Sequence, residues 1–560
     1  MSIEKFSKHL QIRKGGYPMT RRRNRFVRAL SILVLIMCGK AAISQEAQGT
    51  DARPNIVFLL ADDMRFDSMG YLDKFNLQTP HLDRLAQRGV RFTRSYNTTA
   101  ICMASRAQIM TGRYEFSTGC NFDHGNLNWD LWQTSYPVRL RKAGYFVGFA
   151  GKFGFHVNRE DGGKGKADTV QPAFDWWGGW MGQGSYEVSE NKEARAWFAS
   201  RGDQKEHTTY ALGMMGQDFV RKASQTGKPF CLSISFKAPH SPYHTDPRYR
   251  DVYDGGSFPK PDNYGLEHAK HIPAHAKAGR PFAKGKSWLR SYDKTMAAYH
   301  TMVYGMDQAI GMILQELESQ HVVDNTIVIF TSDNGHFNGS KAMGGKIYAY
   351  EEGSLAPLIV LDPRTGGDAD FRTNDALTAN IDIAPTILNY ANIKPSKGVQ
   401  GKSVLPLLNG QETAIHDSLM LVNVWGTPAS QALGVVNRDF KYIRWFYGTD
   451  GFQPTEELYD MQNDRLEEHN LTLVEGHSDD AHRMRTLYDG WLKRWAEQGV
   501  DRNGYPKYIR LGSRHLPFSA QSTEEIWAMA PENNTAGGAA NKEAAKAANK
   551  AGKRVEATEK

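Results

Sequence analysis

Cys102 and Arg106, in the run Ile101-Cys102-Met103-Ala104-Ser105-Arg106, stand about one helical turn apart. Asn97-Thr98-Thr99-Ala100 lead in as a loop of small polar residues, and Ala107-Gln108-Ile109-Met110 favour a helix afterwards. Cys102 therefore falls just before or at a helix N-terminus, where unpaired N–H groups attract negative charge. A nucleophile precursor, an anion-binding helix end and a forked guanidinium converge there, which suits chemistry on an oxyanion. A buried thiol capping a core helix would carry the same short pattern, so the rest of the chain has to decide.

Two further stretches place oxygen ligands at strand ends. Pro54-Asn55-Ile56-Val57-Phe58-Leu59-Leu60 is a continuous apolar run, as a sheet covered on both faces requires, and it ends in Asp62-Asp63. Thr326-Ile327-Val328-Ile329-Phe330-Thr331-Ser332 repeats the logic and ends in Asp333-Asn334. In open α/β sheets the working groups sit just beyond strand carboxyl ends. Asp62, Asp63, Asp333 and Asn334 together would give one hard cation four oxygen ligands, Ca²⁺ in preference to Mg²⁺.

These groups need a sheet to carry them. Strands are expected over Tyr145–Ala150, just before Gly151-Lys152, over Pro229–Phe236 and over Pro357–Leu361. Helices are expected over Thr79–Gly89, Val138–Ala143, Tyr210–Thr226 and Ser291–Gln320. In the last of these, Met296, Tyr299, Met302, Val303, Met306, Ile310, Ile313 and Leu317 form a core-facing stripe. Residues 157–205 read as an irregular insertion whose Trp176-Trp177-Gly178-Gly179-Trp180 packs onto the core rather than onto sugar rings. Residues 245–290 read as a polar rim, and after Leu408 the texture changes to short alternating strands.

Taken in order, strand-Asp-Asp, Thr79-Pro80-His81-Leu82-Asp83-Arg84-Leu85 and Cys102-x-Ala104-x-Arg106 resemble the opening of type I sulfatases, of the alkaline phosphatase-like superfamily. Gly151-Lys152, Pro239-His240-Ser241-Pro242-Tyr243, Asp333-Asn334-Gly335, Gly345-Lys346 and Ala379–Leu388 extend the resemblance over roughly residues 52–500. It implies an α/β fold: a large domain with a central mixed, mostly parallel sheet sandwiched by helices, plus a smaller C-terminal α+β domain with an antiparallel sheet. It also implies oxidation of Cys102 to formylglycine by a maturation (formylglycine-generating) enzyme, the hydrate at position 102 adding a ligand to the cation. Arg106 would help hold that hydrate, Lys152 and Lys346 the sulfate oxygens, and His240 would protonate the departing alcohol, work suited to an imidazole.

Three departures from the family pattern stand out. Gly-Lys-Trp-His is expected where this chain has Gly151-Lys152-Phe153-Gly154-Phe155-His156, so His156 is displaced by two residues and enters as a candidate only. An Arg expected after Glu351-Glu352-Gly353 is missing from Ser354-Leu355-Ala356-Pro357. His244 has no counterpart and reads as a surface residue.

The 560 residues suit one large and one smaller domain, expected over 52–420 and 421–515. The formal charge of +8 is misleading, because residues 1–44 hold ten Lys/Arg and one Glu and leave about −1 on the remainder. The basic balance therefore argues for no nucleic-acid partner. Arg21-Arg22-Arg23, the apolar Ala29–Cys38 and Ala42-Ile43-Ser44 have the order of an export signal over residues 1–44. That apolar run is too short for a stable membrane span. The expected location is periplasmic or secreted. Cys120 and Cys231 are left either to pair or to stay buried, and residues 531–560 form a low-complexity tail expected to be disordered.

The expected reaction is hydrolysis of sulfate esters, with sulfated carbohydrate as the substrate partner. A phosphonate or phosphate ester hydrolase of the same superfamily is the first alternative, and a catalytically silent glycan-binding relative the second.

Overall fold

The computed structural model describes residues 53–199, 206–365, 371–446 and 452–517. The expected leader (1–44) and tail (531–560) lie outside them. Among the described residues, no helix is long and apolar enough to cross a membrane.

An eight-stranded sheet forms the centre. Its strands are β1 (Asn55–Ala61), β2 (Val90–Phe92), β3 (Phe146–Lys152), β4 (Trp176–Trp180), β5 (Phe230–Ser235), β6 (Thr326–Ser332), β7 (Leu358–Leu361) and β8 (Arg372–Asn374). They lie in the order β4-β3-β5-β1-β6-β7-β2-β8. All neighbours pair in parallel except at β7, which runs antiparallel to both β6 and β2. The sheet is thus mixed and mostly parallel.

The alternation along β1 explains why it must be apolar throughout. Val57, Leu59 and Ala61 join one buried cluster, while Ile56, Phe58 and Leu60 join another on the opposite face. The first face is covered by α3 (Thr208–Ser224) and α4 (Tyr292–Ser319), after α1 (Pro80–Arg88) and α2 (Cys102–Thr111) in chain order. The stripe Met296, Tyr299, Val303, Met306, Ile310, Ile313 and Leu317 is fully buried. Ile109 and Met110 of α2 help cover the second face.

A second, antiparallel sheet is built from β9 (Ser418–Asn423), β10 (Ala432–Asn437), β11 (Phe440–Trp445) and β12 (Thr455–Asp460), with α5 (Ser478–Gln498) packed on it. One apolar cluster runs from Tyr96, Ile101 and Phe116 through Tyr350 to Leu419, Val435 and Trp495. This sheet therefore shares its core with the loops behind the first.

Two local expectations need correction. The Trp176–Trp180 stretch is no irregular insertion but the edge strand β4, because it continues the ladder in register from Gly148↔Trp176 to Lys152↔Trp180. Its Trp177 stacks on Phe149 at 5.3 Å between ring centroids, so the tryptophans do pack onto the core. The rim at 245–290 also contains helices, Ala274–Ala278 and Arg280–Arg290, whose inner faces bury Ala276 and Trp288. Cys120 and Cys231 are unpaired and buried.

Candidate active site

The sheet's register brings the chemistry to one edge. Ala61 pairs with Ser332, Leu60 with Ser235, and Ser235 with Gly151, so β1, β6, β5 and β3 end side by side. Asp62-Asp63, Asp333-Asn334, the Lys237–His240 turn and Lys152 therefore emerge together. Lys152 is the last residue of β3, which runs past the end at Ala150 expected from sequence.

Helix α2 starts at Cys102 after the extended Ile101, and no side chain caps it. All ten of its residues are buried, so the helix end points into protein. Arg106, one turn on, is 1 % exposed. Its Nε donates to Asp333 Oδ2 at 2.8 Å, its Nη1 to the Lys152 carbonyl at 2.7 Å and also to Ser235 Oγ, and Nη2 lies 3.3 Å from Asp62 Oδ2. The guanidinium thus ties four strand ends together.

Carboxylates and lysines alternate around this centre. Lys152 Nζ donates to Asp62 Oδ2 at 2.5 Å, and Lys346 Nζ to Asp63 Oδ1 while standing 3.7 Å from Asp62 Oδ1. Asn334 Nδ2 donates to Asp63 Oδ1 at 2.7 Å, and the Asp63 amide to Asp333 Oδ1 at 3.3 Å. His240 Nε2 stands 3.7 Å from Asp63 Oδ2, and its Nδ1 contacts the Ser241 carbonyl. If Nδ1 carries the proton for that carbonyl, Nε2 is left to face the site.

Burial opposes charge on every one of these groups, and neighbouring charges decide the balance. Desolvation would raise Asp62, but Lys152, His240, Arg106 and Lys346 outweigh it and hold the carboxyl below its usual range. Asp63 is likewise held low, against burial, chiefly by Lys346. Asp333 goes the other way: burial and the charge of Asp62 push it up to about 6. Burial pushes His240 down to about 4. Lys346 is raised despite burial because Asp63, Cys102 and Asp62 face it.

The donor set fits a hard cation. Asp62 Oδ1 and Asn334 Oδ1 are buried oxygens without a hydrogen-bond partner, on the two residues expected to supply ligands from different strands. Carboxylate oxygens of Asp62 and Asp63 and a ring nitrogen of His240 also lie within 4.8 Å of one another. A divalent ion among these oxygens would relieve the repulsion that raises Asp333.

His156 lies apart from the carboxylates. It lines an open cleft of about 780 Å³ with Trp180, Met181, Gly182 and Lys166, and its Nδ1 is buried without a partner. His244 is a half-exposed side chain 3.4 Å from Glu187.

Several site residues escaped the sequence reading. Lys237, buried and over the Tyr186 ring at 5.2 Å, lies two residues beyond the end of β5, so the strand-end rule that found Asp62 would have found it. Ser235 ends the same strand. His336, a buried imidazole pushed down by burial to about 3, lies close enough to Asp63 to feel its charge and follows Asp333-Asn334-Gly335. Gln183 reaches Lys152 Nζ with its Oε1 at 2.6 Å and points its Nε2 at Cys102 Sγ at 3.7 Å. An exposed glutamine between two glycines carries no signal of that kind.

The chain is similar to known proteins. A family model described as Sulfatase matches residues 54–393, and one described as N-sulphoglucosamine sulphohydrolase, C-terminal, matches residues 339–488. The chain is 27 % identical over 506 residues to an N-acetylglucosamine-6-O-sulfatase of Bacteroides thetaiotaomicron, covering 79 % of this chain and 86 % of that one. It is 24 % identical to a ulvan-active sulfatase of Formosa agariphila, covering 80 % and 83 %. A solved structure described as a complex with its substrate D-glucosamine-2-N,6-O-disulfate has a TM-score of 0.64 at 24 % identity, covering 80 % of this chain and 99 % of that one. A phosphonate monoester hydrolase of Agrobacterium radiobacter shares the fold equally well, with a TM-score of 0.65 at 21 % identity over 80 % and 96 % of the chains. Shape alone therefore does not separate the two ester classes; the family match, which runs through more than half of the chain, does so, and this protein belongs to the sulfatases, hydrolases of sulfuric esters.

Proposed function

We propose that the chain removes sulfate from sulfated carbohydrates, with formylglycine made from Cys102 and one bound Ca²⁺. The observation that carries this reading is the place of Cys102: at a helix start, near enough to Arg106, Lys346 and Lys237 to interact with their charges, and under Gln183. The relatives named for N-acetylglucosamine-6-O-sulfate and ulvan support carbohydrate as the alcohol.

Hydrated formylglycine supplies the nucleophile and Ca²⁺ supplies positive charge at the ester, as neither a thiol nor a serine would. Asp62, Asp63, Asp333 and Asn334 hold the cation through their oxygens. Arg106 has Asp333, Asp62, Ser235 and the Lys152 carbonyl as partners, so it acts chiefly by fixing the ligands and the lysine. Lys152 and Lys346 turn from Asp62 and Asp63 to the sulfate oxygens, where their charge counts most as the S–O bond lengthens. His240 hands a proton to the alcohol oxygen as that bond breaks. Its ring is neutral when free, and an anionic ester against Nε2 draws its pKa upward, so substrate and proton arrive together. His156, in the open cleft, is given no step in the reaction, because none of the residues that act on the ester lines that cleft.

Two lysines suit a sulfate monoester, which carries one negative charge, where a phosphate monoester dianion calls for a second divalent ion. Export by residues 1–44 and conversion of Cys102 by a formylglycine-generating enzyme complete the reading.

The test is sulfate release from a panel of sulfated glycans, ulvan fragments, aryl sulfates and matched phosphate esters, by protein co-produced with the maturation enzyme. Mass spectrometry reports position 102. We expect release from a glycan, and a fall of about 10⁴-fold or more in Cys102→Ala. Faster turnover of phosphate or phosphonate esters by fully converted protein would overturn the assignment, and an unconverted but active Cys102 would overturn the nucleophile.

A further inference from the structure

The displaced histidine leaves the site without a polar side chain at that position of β3's end, and a neighbouring loop supplies one. Where the family pattern places a histidine, this chain has Gly154, with φ of +85°. A Cβ there would stand 2.5 Å from Arg106 Cδ and 3.4 Å from Lys152 Cε. Arg106 cannot step aside, because its guanidinium is held by Asp333, the Lys152 carbonyl and Ser235. No side chain fits at position 154, and the next histidine, His156, lines the cleft instead.

Gln183 arrives from the neighbouring strand. β4 pairs with β3 up to Lys152↔Trp180, and the ladder continues as Phe153 N–H to the Trp180 carbonyl at 2.8 Å and Gly154 N–H to the Met181 carbonyl at 3.2 Å. Those bonds hold the start of the loop 181–184 beside Phe153 and Gly154. The exposed Gln183 then reaches inward, its Oε1 on Lys152 Nζ at 2.6 Å and its Nε2 towards Cys102 Sγ at 3.7 Å. The Sγ atom marks where the nucleophilic oxygens project once Cys102 is converted.

We propose that Gln183 is a catalytic residue of this enzyme: its side-chain amide donates to an oxygen of the bound sulfate beside the nucleophile. The inference rests on the sulfate-ester reading and extends it. An amide orients and neutralises partial charge without itself changing protonation. Its flanking residues Met181, Gly182 and Gly184 line the open cleft.

The experiment uses full-length, formylglycine-converted protein carrying Gln183→Ala, Gln183→Glu or Gln183→His. Binding of inorganic sulfate is measured by calorimetry and kcat/KM on the best panel substrate, with conversion and melting temperature as controls. We expect Gln183→Ala to weaken sulfate binding and kcat/KM by about 10–100-fold at unchanged conversion and melting temperature. Gln183→Glu, an acceptor facing an anion, loses more, and Gln183→His, which restores a donor, recovers part. A merely structural glutamine would give alanine and glutamate variants alike. Wild-type affinity and rate in Gln183→Ala overturn the role of Gln183 alone. A wild-type protein that neither binds sulfate nor hydrolyses any sulfate ester overturns the underlying reading with it.

Discussion

Lys346 holds two opposing relationships at once. It neutralises Asp63 and stands 3.7 Å from Asp62, yet both carboxylates are expected to take a cation. A lysine and a divalent ion competing for the same oxygens repel each other, so the lysine weakens metal binding while serving the sulfate. Lys346→Ala should therefore separate the two effects. We expect kcat/KM to fall by about 10²-fold or more, while the rise in melting temperature on adding Ca²⁺ becomes larger than in wild type. Thermal melts with EGTA and with Ca²⁺, beside kinetics, check this; equal Ca²⁺ shifts in both proteins would remove Lys346 from the cation's surroundings. Legibility at this scale followed residue type. The acids and lysines that follow apolar strands could be read because a charge buried at a strand end is costly unless a partner or a ligand offsets it. Gln183 could not, since its role comes from the pairing of β4 with β3, which brings a loop distant in sequence to Lys152 and Cys102.

Elements carry a second, purely structural lesson in Glu115, the first residue of the short helix Glu115–Thr118. Its Oε1 accepts from Tyr505 Oη at 2.6 Å and Asn121 Nδ2 at 2.7 Å, whereas Oε2 has no partner. Burial pushes its carboxyl up to about 7, against those hydrogen bonds, from an ordinary 4.5. Below pH 4.5 the group is protonated whether the chain is folded or unfolded. Between 4.5 and 7 only the folded form keeps the proton, so stability falls as pH rises, by about 3 kcal/mol across the window. We expect urea midpoints to drop from pH 5 to pH 7 in wild type and to drop much less in Glu115→Gln; identical slopes would show that Glu115 is ionised in the fold. Most elements could be read from periodicity: β1 and β6 from unbroken apolar runs, α4 from its three-and-four spacing. β4 could not, because two glycines among tryptophans suppress both patterns and only pairing with β3 makes a strand of it.

Across the whole molecule, a buried charge network joins the loop that bears Lys346 to the second sheet. Lys441 of β11 donates to Glu351 and Glu467, each at 2.7 Å, and Lys341 holds Glu352 at 3.0 Å. Glu351 also accepts from Tyr96 Oη at 2.7 Å and pairs with Arg465 at 3.2 Å. Removing one member leaves its partners charged and desolvated. We expect Lys441→Met to cost about 3–5 kcal/mol by chemical denaturation. The loss should be smaller at pH 5 than at pH 8, because Glu467, already raised by burial, can take a proton in place of the lysine. A variant as stable as wild type at both pH values would show the network to be dispensable. The sequence did not announce these pairs, since most partners lie far apart along the chain and each fits a surface as well as an interior.

The edge position of β4 has a consequence for how such a protein changes over generations. Asp62, Lys152, Lys237 and Asp333 follow inner strands locked by neighbours on both sides, so a length change there would displace several groups together. β4 has a neighbour on one side only, and the loop leaving it walls the cleft. Insertions, deletions and new side chains can accumulate in that loop beyond Gln183 while the groups on the inner strands stay in register. Gln183 apart, the residues that act on the ester and the segment free to vary thus lie in different parts of one sheet, and libraries aimed at new glycans belong at residues 184–192, with Gln183 kept.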